Sequence, residues 1–460
     1  MSPAQVRVRE VELRVSDCDA RLPFRFGAAT VTWAPLVTAR VVLDVDGERA
    51  EGFSADLAMP RWFDKDPAKT ILENVTGLVH RAIRVGEAFD RADPGTAFEV
   101  WYQVYREEFY PSALEHGFAV SLFERAIIDA VCRAARCSFF TALKEDLLGF
   151  RAERIHPRLA GWDLAASLPE EPVKRVRVRH TIGLLDPLRV DDLDQAHRVD
   201  DGLPVALEED VRRYGLEAFK VKIGGDPDAD ARRLNDLAEF LPQVVEGDWF
   251  VTLDGNEQYT DLASLVRLLE RTDPTFVERI AFVEQPFGRW ESAAGSVERF
   301  PKDVVLDEGD GGIEDFPRCL ARGYRGVTVK NCKGVFRALL NRGLCDLHPG
   351  AFQTAEDLTN LPVLSLQQDL ATVAAFGLAH VERNGHHYFR GLDHLPEVEA
   401  RAALAAHPEL YETREGGIFL RIEEGLLDLS SLQCPGYGVA SPIAFEAREP
   451  VGDWMERRLR

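Results

Sequence analysis

Two patterns of hydrophobic and polar positions divide the chain. Short alternating runs and then long helical stripes fill the first 150 residues or so. There, 11–15, 37–45 and 48–53 read as strands, the last two joined by the hairpin signal Asp46-Gly47. Helices are predicted over 68–84, 98–109 and 119–148. In the last of these, Phe123, Ile127, Ala130, Val131 and Ala134 keep one face apolar. This is an α+β unit, followed by a connector rich in Pro, Glu and Arg at 151–175.

From 176 the pattern changes to short apolar runs alternating with helical segments, the signature of a parallel sheet. Strands are predicted over 176–183, 218–223, 249–253, 280–283, 304–306, 326–329, 351–354 and 379–382. Eight strands with a helix between each neighbouring pair fit a closed (β/α)8-type barrel better than an open sheet. After 391 the repeat stops. The tail carries a hairpin-like piece at 418–427 and the turn Cys434-Pro435-Gly436-Tyr437-Gly438.

The net charge of -22 argues against nucleic acid and anionic membranes as partners, since both need basic patches. It leaves an anionic small molecule open, because a site can be locally positive. Seven scattered cysteines without a Cys-x-x-Cys pair suggest neither a disulfide framework nor structural zinc. The first fifteen residues lack the apolar core of a signal peptide, and no run approaches the ~20 apolar residues of a membrane span. These features read as a reduced, cytoplasmic protein.

The charged residues at the strand ends carry the chemistry. Strand side chains alternate faces, so Lys220 and Lys222 share one face while Phe219, Val221 and Ile223 take the other. Two lysines pointing into a barrel need partners. Asp254, Glu284 and Asp307 each end an apolar run and point inward at the C-terminal mouth, where barrel active sites lie. Three carboxylates at one locus repel one another unless a hard divalent cation joins them, Mg²⁺ first. Lys330, after 326–329, points inward with Thr328 from the opposite side of the ring. A cation held against a substrate carboxylate stabilises the enediolate formed when the adjacent proton leaves. A lysine whose pKa is lowered by burial and nearby cations can remove that proton. A strand-end acid alone is commonly a helix cap, and a lone inward lysine is commonly half of a salt bridge. The five-strand set in register favours the functional reading.

These residues resemble the signatures of the enolase superfamily, specifically its muconate lactonizing enzyme subgroup within the mandelate racemase/muconate lactonizing enzyme-like proteins. The matching motifs are Lys220-Val221-Lys222, Asp254-Gly255-Asn256, Glu284-Gln285-Pro286, Asp307-Glu308, and Lys330 with Lys333. The resemblance implies an α/β fold: a modified (β/α)8 barrel over 173–395, capped by an α+β domain from 1–172 that 396–460 completes. It implies metal ligands Asp254, Glu284 and Asp307, and acid/base lysines Lys222 and Lys330, with Lys220 supporting Lys222 and offsetting enediolate charge. Asn256 and Glu308 would support the ligands. One Mg²⁺, with Mn²⁺ an alternative, would be the cofactor; a lysine base with Mg²⁺ is a known pattern of that superfamily. The implied enzyme is an isomerase or lyase (racemase, epimerase, cycloisomerase or dehydratase) acting on a small carboxylate, with a homo-oligomer compatible. Two capping loops, near 24–33 and 53–62, would set specificity. The chain departs from the family in having Gly334-Val335 where two glycines are usual, and Gly309 where a small hydroxyl residue is usual. It has no His–Asp pair on the seventh strand, which argues against the mandelate racemase subgroup.

Thr354, Glu356 and Asp357 stand at that seventh strand, and a capping role is favoured over substrate contact. The acidic run 307–315 lacks the ligand spacing of a calcium loop and reads as a strand-end turn. His386-His387 suggests a second metal site, but adjacent histidines in extended chain face opposite ways, so a metal role is disfavoured. His180 either lines the cavity or is a satisfied barrel histidine. Gly224-Gly225 is too short for a dinucleotide fingerprint. Two rival functions fit the same fold: a Schiff-base aldolase using Lys222 or Lys330, and a barrel that binds an acidic metabolite without turnover.

Overall fold

A computed structural model of the chain describes residues 2–107, 114–193, 198–414 and 416–459. The alternating start forms an antiparallel sheet of β1 (Val6–Phe26), β2 (Ala29–Val45) and β3 (Glu48–Leu57). Asp46 and Gly47 turn β2 into β3, both at positive φ, as a tight hairpin requires. β1 is far longer than the predicted 11–15. Register shifts between Val8 and Glu10 and between Asp19 and Phe24 break its alternation, which hides its length from a period-two reading.

Helix α1 (Ile71–Asp90) starts at a capping box of Thr70 and Glu73, and α2 (Ala97–Glu107) and α3 (Leu114–Ala134) follow. The last two positions of the predicted 98–109 helix lie outside the described residues. The predicted 119–148 helix is two pieces, because Ser138 caps a new helix, α4 (Phe139–Lys144). α3 is buried on nearly every side, since it lies between the sheet and the barrel. The short helix α5 (Leu164–Ser167) belongs to the connector.

The barrel strands are β4 (Arg175–Ile182), β5 (Ala218–Lys222), β6 (Phe250–Asp254), β7 (Ile280–Glu284), β8 (Asp303–Leu306), β9 (Gly326–Val329), β10 (Phe352–Ala355) and β11 (His380–Arg383). They pair in parallel in that order, and β11 pairs with β4 to close the ring. Between them run α6 (Leu207–Tyr214), α7 (Pro227–Val244), α8 (Leu262–Arg271) with α9 (Pro274–Glu278), α10 (Arg289–Ala294), α11 (Asp315–Leu320), α12 (Val335–Leu347) and α13 (Leu364–Phe376). A four-residue helix, α14 (Gly385–Tyr388), follows β11. The expected closed barrel with its N-terminal sheet domain is the observed architecture.

The tail differs from its prediction. After α15 (Glu397–Ala406), β12 (Tyr411–Arg414) and β13 (Gly417–Leu420) form the hairpin, turned where Gly416 takes φ +74°. The piece predicted as one hairpin over 418–427 is therefore divided. Its end enters β14 (Leu426–Asp428), which pairs antiparallel with β4. β15 (Glu449–Pro450) then joins β1 in the N-terminal sheet, and α16 (Val451–Leu459) pins it there, Trp454 Nε1 donating to Asp17 at 3.0 Å. All seven cysteines are free, and no helix among the described residues is long and apolar enough to cross a membrane.

Candidate active site

The ladder register explains which side chains meet. Lys222, Asp254 and Glu284 are consecutive partners across β5, β6 and β7, so they form one row at the C-terminal mouth. One layer deeper, Thr181, Lys220 and Thr252 form a second row. Lys222 Nζ lies 2.5 Å from Asp254. Lys220 Nζ sits among four carboxylates, 3.0 Å from Asp254 and 2.8 Å from each of Glu284, Glu356 and Glu382. On the far side, Asp307 accepts from Lys330 Nζ at 2.7 Å and Thr328 Oγ1 at 2.6 Å. All these groups are buried.

The turns beyond the strands fix the carboxylates. Gly255 is forced by close approach, because a Cβ there would lie 2.7 Å from Pro286 Cα. The chain then takes positive φ at Asn256, Glu257 and Gln285, which is strained backbone beside two strand-end acids. Asn256 N donates to Asp254 at 2.9 Å, and Gln285 Oε1 accepts from Asp307 N and Gly309 N, each at 2.9 Å. Asn256 Nδ2 and Lys65 Nζ both donate to Glu308, at 3.1 Å. Two other carboxylates of 307–315, Asp310 and Asp315, have partners of their own. Asp310 takes Lys333 and Arg337, and Asp315 caps Gly312 N, so that run is a turn held by separate contacts. At the departure Gly334-Val335, Gly334 takes φ +111° and Val335 begins α12.

Two segments of the N-terminal unit cover the mouth. The outer half of β1 and β2 is a ribbon. Arg21 donates to the His387 carbonyl at 2.7 Å, Phe24 stacks on Tyr388, and Gly27 at the tip abuts Asn256 and Gln258. Beyond β3, Lys65 pairs with Glu257 and Glu308, and Arg289 donates to the Phe63 carbonyl at 2.9 Å. Each segment places an aromatic ring near one lysine, Trp62 4.4 Å from Lys330 Nζ and Phe26 5.9 Å from Lys222 Nζ.

The electrostatics carry one correction. Burial pushes the lysines down, but for Lys220 the pull of Asp254, Glu284, Glu356 and Glu382 wins and holds it well above the ordinary value. Asp307 does the same for Lys330, so the expected depressed base is not found while that carboxylate is its partner. Burial favours the neutral form of Asp307, yet Lys330 and Lys333 hold it below the usual range. Glu284 goes the other way. Burial, then Asp254 and Glu356, push it well above the carboxylate range despite Lys220. A buried acid on three acidic sides is short of positive charge. With Asp254 and Asp307 it makes an all-oxygen donor set of the kind a hard divalent cation takes.

Other expectations change. Glu356 is not a helix cap. It lies inside the barrel, paired with Arg179 and Lys220, and Thr354 donates to it at 3.1 Å. Asp357 does cap, accepting from Asn360 N at 2.7 Å and Asn384 N at 3.0 Å, and it pairs with Arg383. His180 does not line the cavity, because Arg179 and Thr181 take the inward positions. It faces α6 and α14, where it meets Asp210, His386 and His387. His386 and His387 converge there because they lie on a helical turn instead of extended chain. Arg179 and Glu382 were not singled out, because β4 (Arg-Val-Arg-Val-Arg-His-Thr-Ile) and β11 (His-Val-Glu-Arg) are rich in charge and no single inward group stands out as Lys220 does.

Comparison with known proteins agrees with this geometry. Residues 202–394 match the family model described as enolase C-terminal domain-like. No curated protein matched the sequence. Among solved structures, a dipeptide epimerase from Enterococcus faecalis V583, complexed with Mg and L-Leu-L-Tyr, is 14% identical with a TM-score of 0.62, covering 94% of this chain and 99% of its own. A muconate lactonizing enzyme from Pseudomonas fluorescens, complexed with muconolactone, is 14% identical at TM-score 0.62, covering 96% and 98%. A mandelate racemase/muconate lactonizing protein from Herpetosiphon aurantiacus is 16% identical at TM-score 0.61, covering 95% and 99%. The barrel, residues 202–394, thus matches the enolase C-terminal domain-like family model, and the fold along the chain's length is similar to that of the dipeptide epimerase, muconate lactonizing enzyme and mandelate racemase-like structures.

Proposed function

We propose that this protein is a Mg²⁺-dependent enzyme that abstracts the proton adjacent to a substrate carboxylate. The observation that carries the reading is the row Lys222–Asp254–Glu284 facing Lys330 and Asp307 across the barrel mouth. Asp254, Glu284 and Asp307 would hold the ion, the relatives crystallised with Mg being consistent with that. Bound there, Mg²⁺ supplies the positive charge that offsets a developing enediolate.

The chain's own residues do the rest. β5 and β9 stand four strands apart in a ring of eight, so Lys222 and Lys330 address opposite faces of a substrate between them. One lysine removes the proton, and the other can return it on the opposite face or protonate a leaving or attacking centre. Were Asp307 to hold a cation, it would no longer keep Lys330 protonated, and that lysine could act as base. Lys220 balances Glu356 and Glu382 beneath the row and adds positive charge under it. Phe26 and Trp62 keep water from the two ammonium groups. Asn256, Glu308 and Lys65 form one hydrogen-bonded cluster that fixes the turns and ties the covering segment to the mouth.

The reading is tested by screening carboxylic acids for Mg²⁺-dependent turnover, including dipeptides and muconolactone-like acids of the kinds bound by the relatives. Activity that disappears on chelation and returns with Mg²⁺ is expected. Metal-independent activity with borohydride trapping of a lysine would instead establish the aldolase.

A further inference from the structure

Outside the barrel mouth, four titratable side chains converge at the barrel's closing seam. His180 points outward from β4, Asp210 projects from α6, and His386 and His387 come from α14, which follows β11. His180 Nδ1 and His386 Nε2 are 3.1 Å apart. Asp210 Oδ2 lies 3.8 Å from His180 Nε2 and 3.0 Å from His387 Nδ1. One ligand atom each from His180, Asp210 and His386 lies within 4.8 Å of the others. The three rings and the carboxylate come from three separate stretches of chain.

Two features set this cluster apart from an ordinary buried salt bridge. Asp210 is 1% exposed, yet neither of its carboxylate oxygens accepts a well-directed hydrogen bond. The imidazole nitrogen of His387 is near it but is not aimed for one, so a buried anion faces the cluster with its lone pairs unused. The two histidine nitrogens, in turn, stand at nearly the separation of two zinc ligands. Bonds of about 2.0–2.1 Å at a tetrahedral angle put neighbouring nitrogens about 3.3 Å apart. Two imidazoles and one carboxylate form a borderline nitrogen and oxygen set. It suits Zn²⁺ and disfavours Mg²⁺, which takes oxygen.

We propose that His180, His386 and Asp210 bind a divalent transition-metal ion of the Zn²⁺ class, distinct from the cation of the barrel mouth. The ion bridges β4, α6 and the chain after β11, and so clasps the ring where its last strand meets its first. His387 Nδ1 stands beside the carboxylate, 3.0 Å from Asp210 Oδ2. His386 also lines a small pocket with Arg414 and Phe419.

The test uses the full chain, stripped with a chelator, re-equilibrated with Zn²⁺ in excess Mg²⁺ and desalted. Zinc is counted by mass spectrometry. One equivalent is expected in the wild-type protein and in Glu284→Gln, which alters only the barrel mouth. His386→Ala and Asp210→Asn are expected to bind Zn²⁺ at least a hundredfold more weakly. Replacing zinc by Co²⁺ is expected to give the strong visible bands of a tetrahedral site in the wild type and not in His386→Ala. Should Asp210→Asn fail to fold, His386→Ala carries the test, with thermal melts reading whether Zn²⁺ stabilises the wild type alone. Equal zinc in the wild type and His386→Ala overturns the proposal. So does the absence of zinc from the wild type, or its loss in Glu284→Gln with retention in His386→Ala.

Discussion

Replacing Lys220 by Met probes the charge balance beneath the proposed metal site. The substitution keeps an unbranched chain but removes the ammonium that touches Asp254, Glu284, Glu356 and Glu382 within 3.0 Å. Lys222 and Arg179 then face four buried carboxylates, a deficit of two positive charges. Breaking a buried ionic cluster from one side costs about 3–5 kcal/mol, so Lys220→Met should lose about that much at pH 8. The pH dependence has a definite sign. Glu284 is already held above its unfolded value of about 4 by burial and its acidic neighbours, and losing Lys220 removes the group that opposes them. The folded variant therefore binds more protons than its unfolded chain, and its stability rises as pH falls. Lys220 itself is charged in both wild-type states across this range, so it adds no slope. Urea unfolding at pH 8 and pH 5 should show the gap to wild type narrowing at pH 5. Mg²⁺ should stabilise the variant at pH 8, by about 2.7 kcal/mol at a hundred times its own Kd. A loss below about 1 kcal/mol that is the same at both pH values would refute the reasoning.

Two further changes test separate parts of the account. Gly255→Ala places a Cβ 2.7 Å from Pro286 Cα and 3.1 Å from the Gln285 carbonyl, both backbone. The turns bearing Asp254 and Glu284 must separate by about 0.5–1 Å, more than a preorganised site tolerates. Mg²⁺ affinity, read by thermal stabilisation, should fall at least tenfold, and wild-type affinity would contradict the packing argument. His407 lies in the core, where burial pushes its pKa down to about 4, and its Nε2 accepts from Ala440 N at 3.1 Å. As pH falls below about 6.5 the unfolded chain takes a proton that the folded chain refuses until about pH 4, so stability drops through that window. His407→Gln should remove about 2 kcal/mol of the wild type's loss between pH 7.5 and pH 5. Equal pH slopes in urea melts would contradict it.

Much of the barrel is legible from the sequence because its strands are apolar runs bounded by charge. The observed β4 to β11 fall within two residues of the predicted positions. Strand parity also placed Lys220, Lys222, Asp254 and Glu284 correctly on the inner face, since alternation needs no tertiary information. What parity could not supply is partnership across the ring. Glu356 looks like a cap until Arg179 and Lys220 are seen to reach it from other strands. The length of β1 was hidden by its register shifts, and the convergence of His386 and His387 by a four-residue helix too short to announce itself. Lys65 and Arg289 were not identified either, because their importance comes from the docking of the N-terminal segment on the barrel mouth.

The central claim is proton abstraction next to a carboxylate, and deuterium uptake tests it most directly. Candidate acids that bind the protein are incubated with it and Mg²⁺ in deuterated water, and the α-position is followed by NMR. The account expects exchange or turnover that vanishes on chelation and falls about 10²–10⁴-fold in Lys222→Ala or Lys330→Ala. A bound acid that shows neither exchange nor turnover, and whose affinity is unchanged by Lys222→Ala, would contradict it.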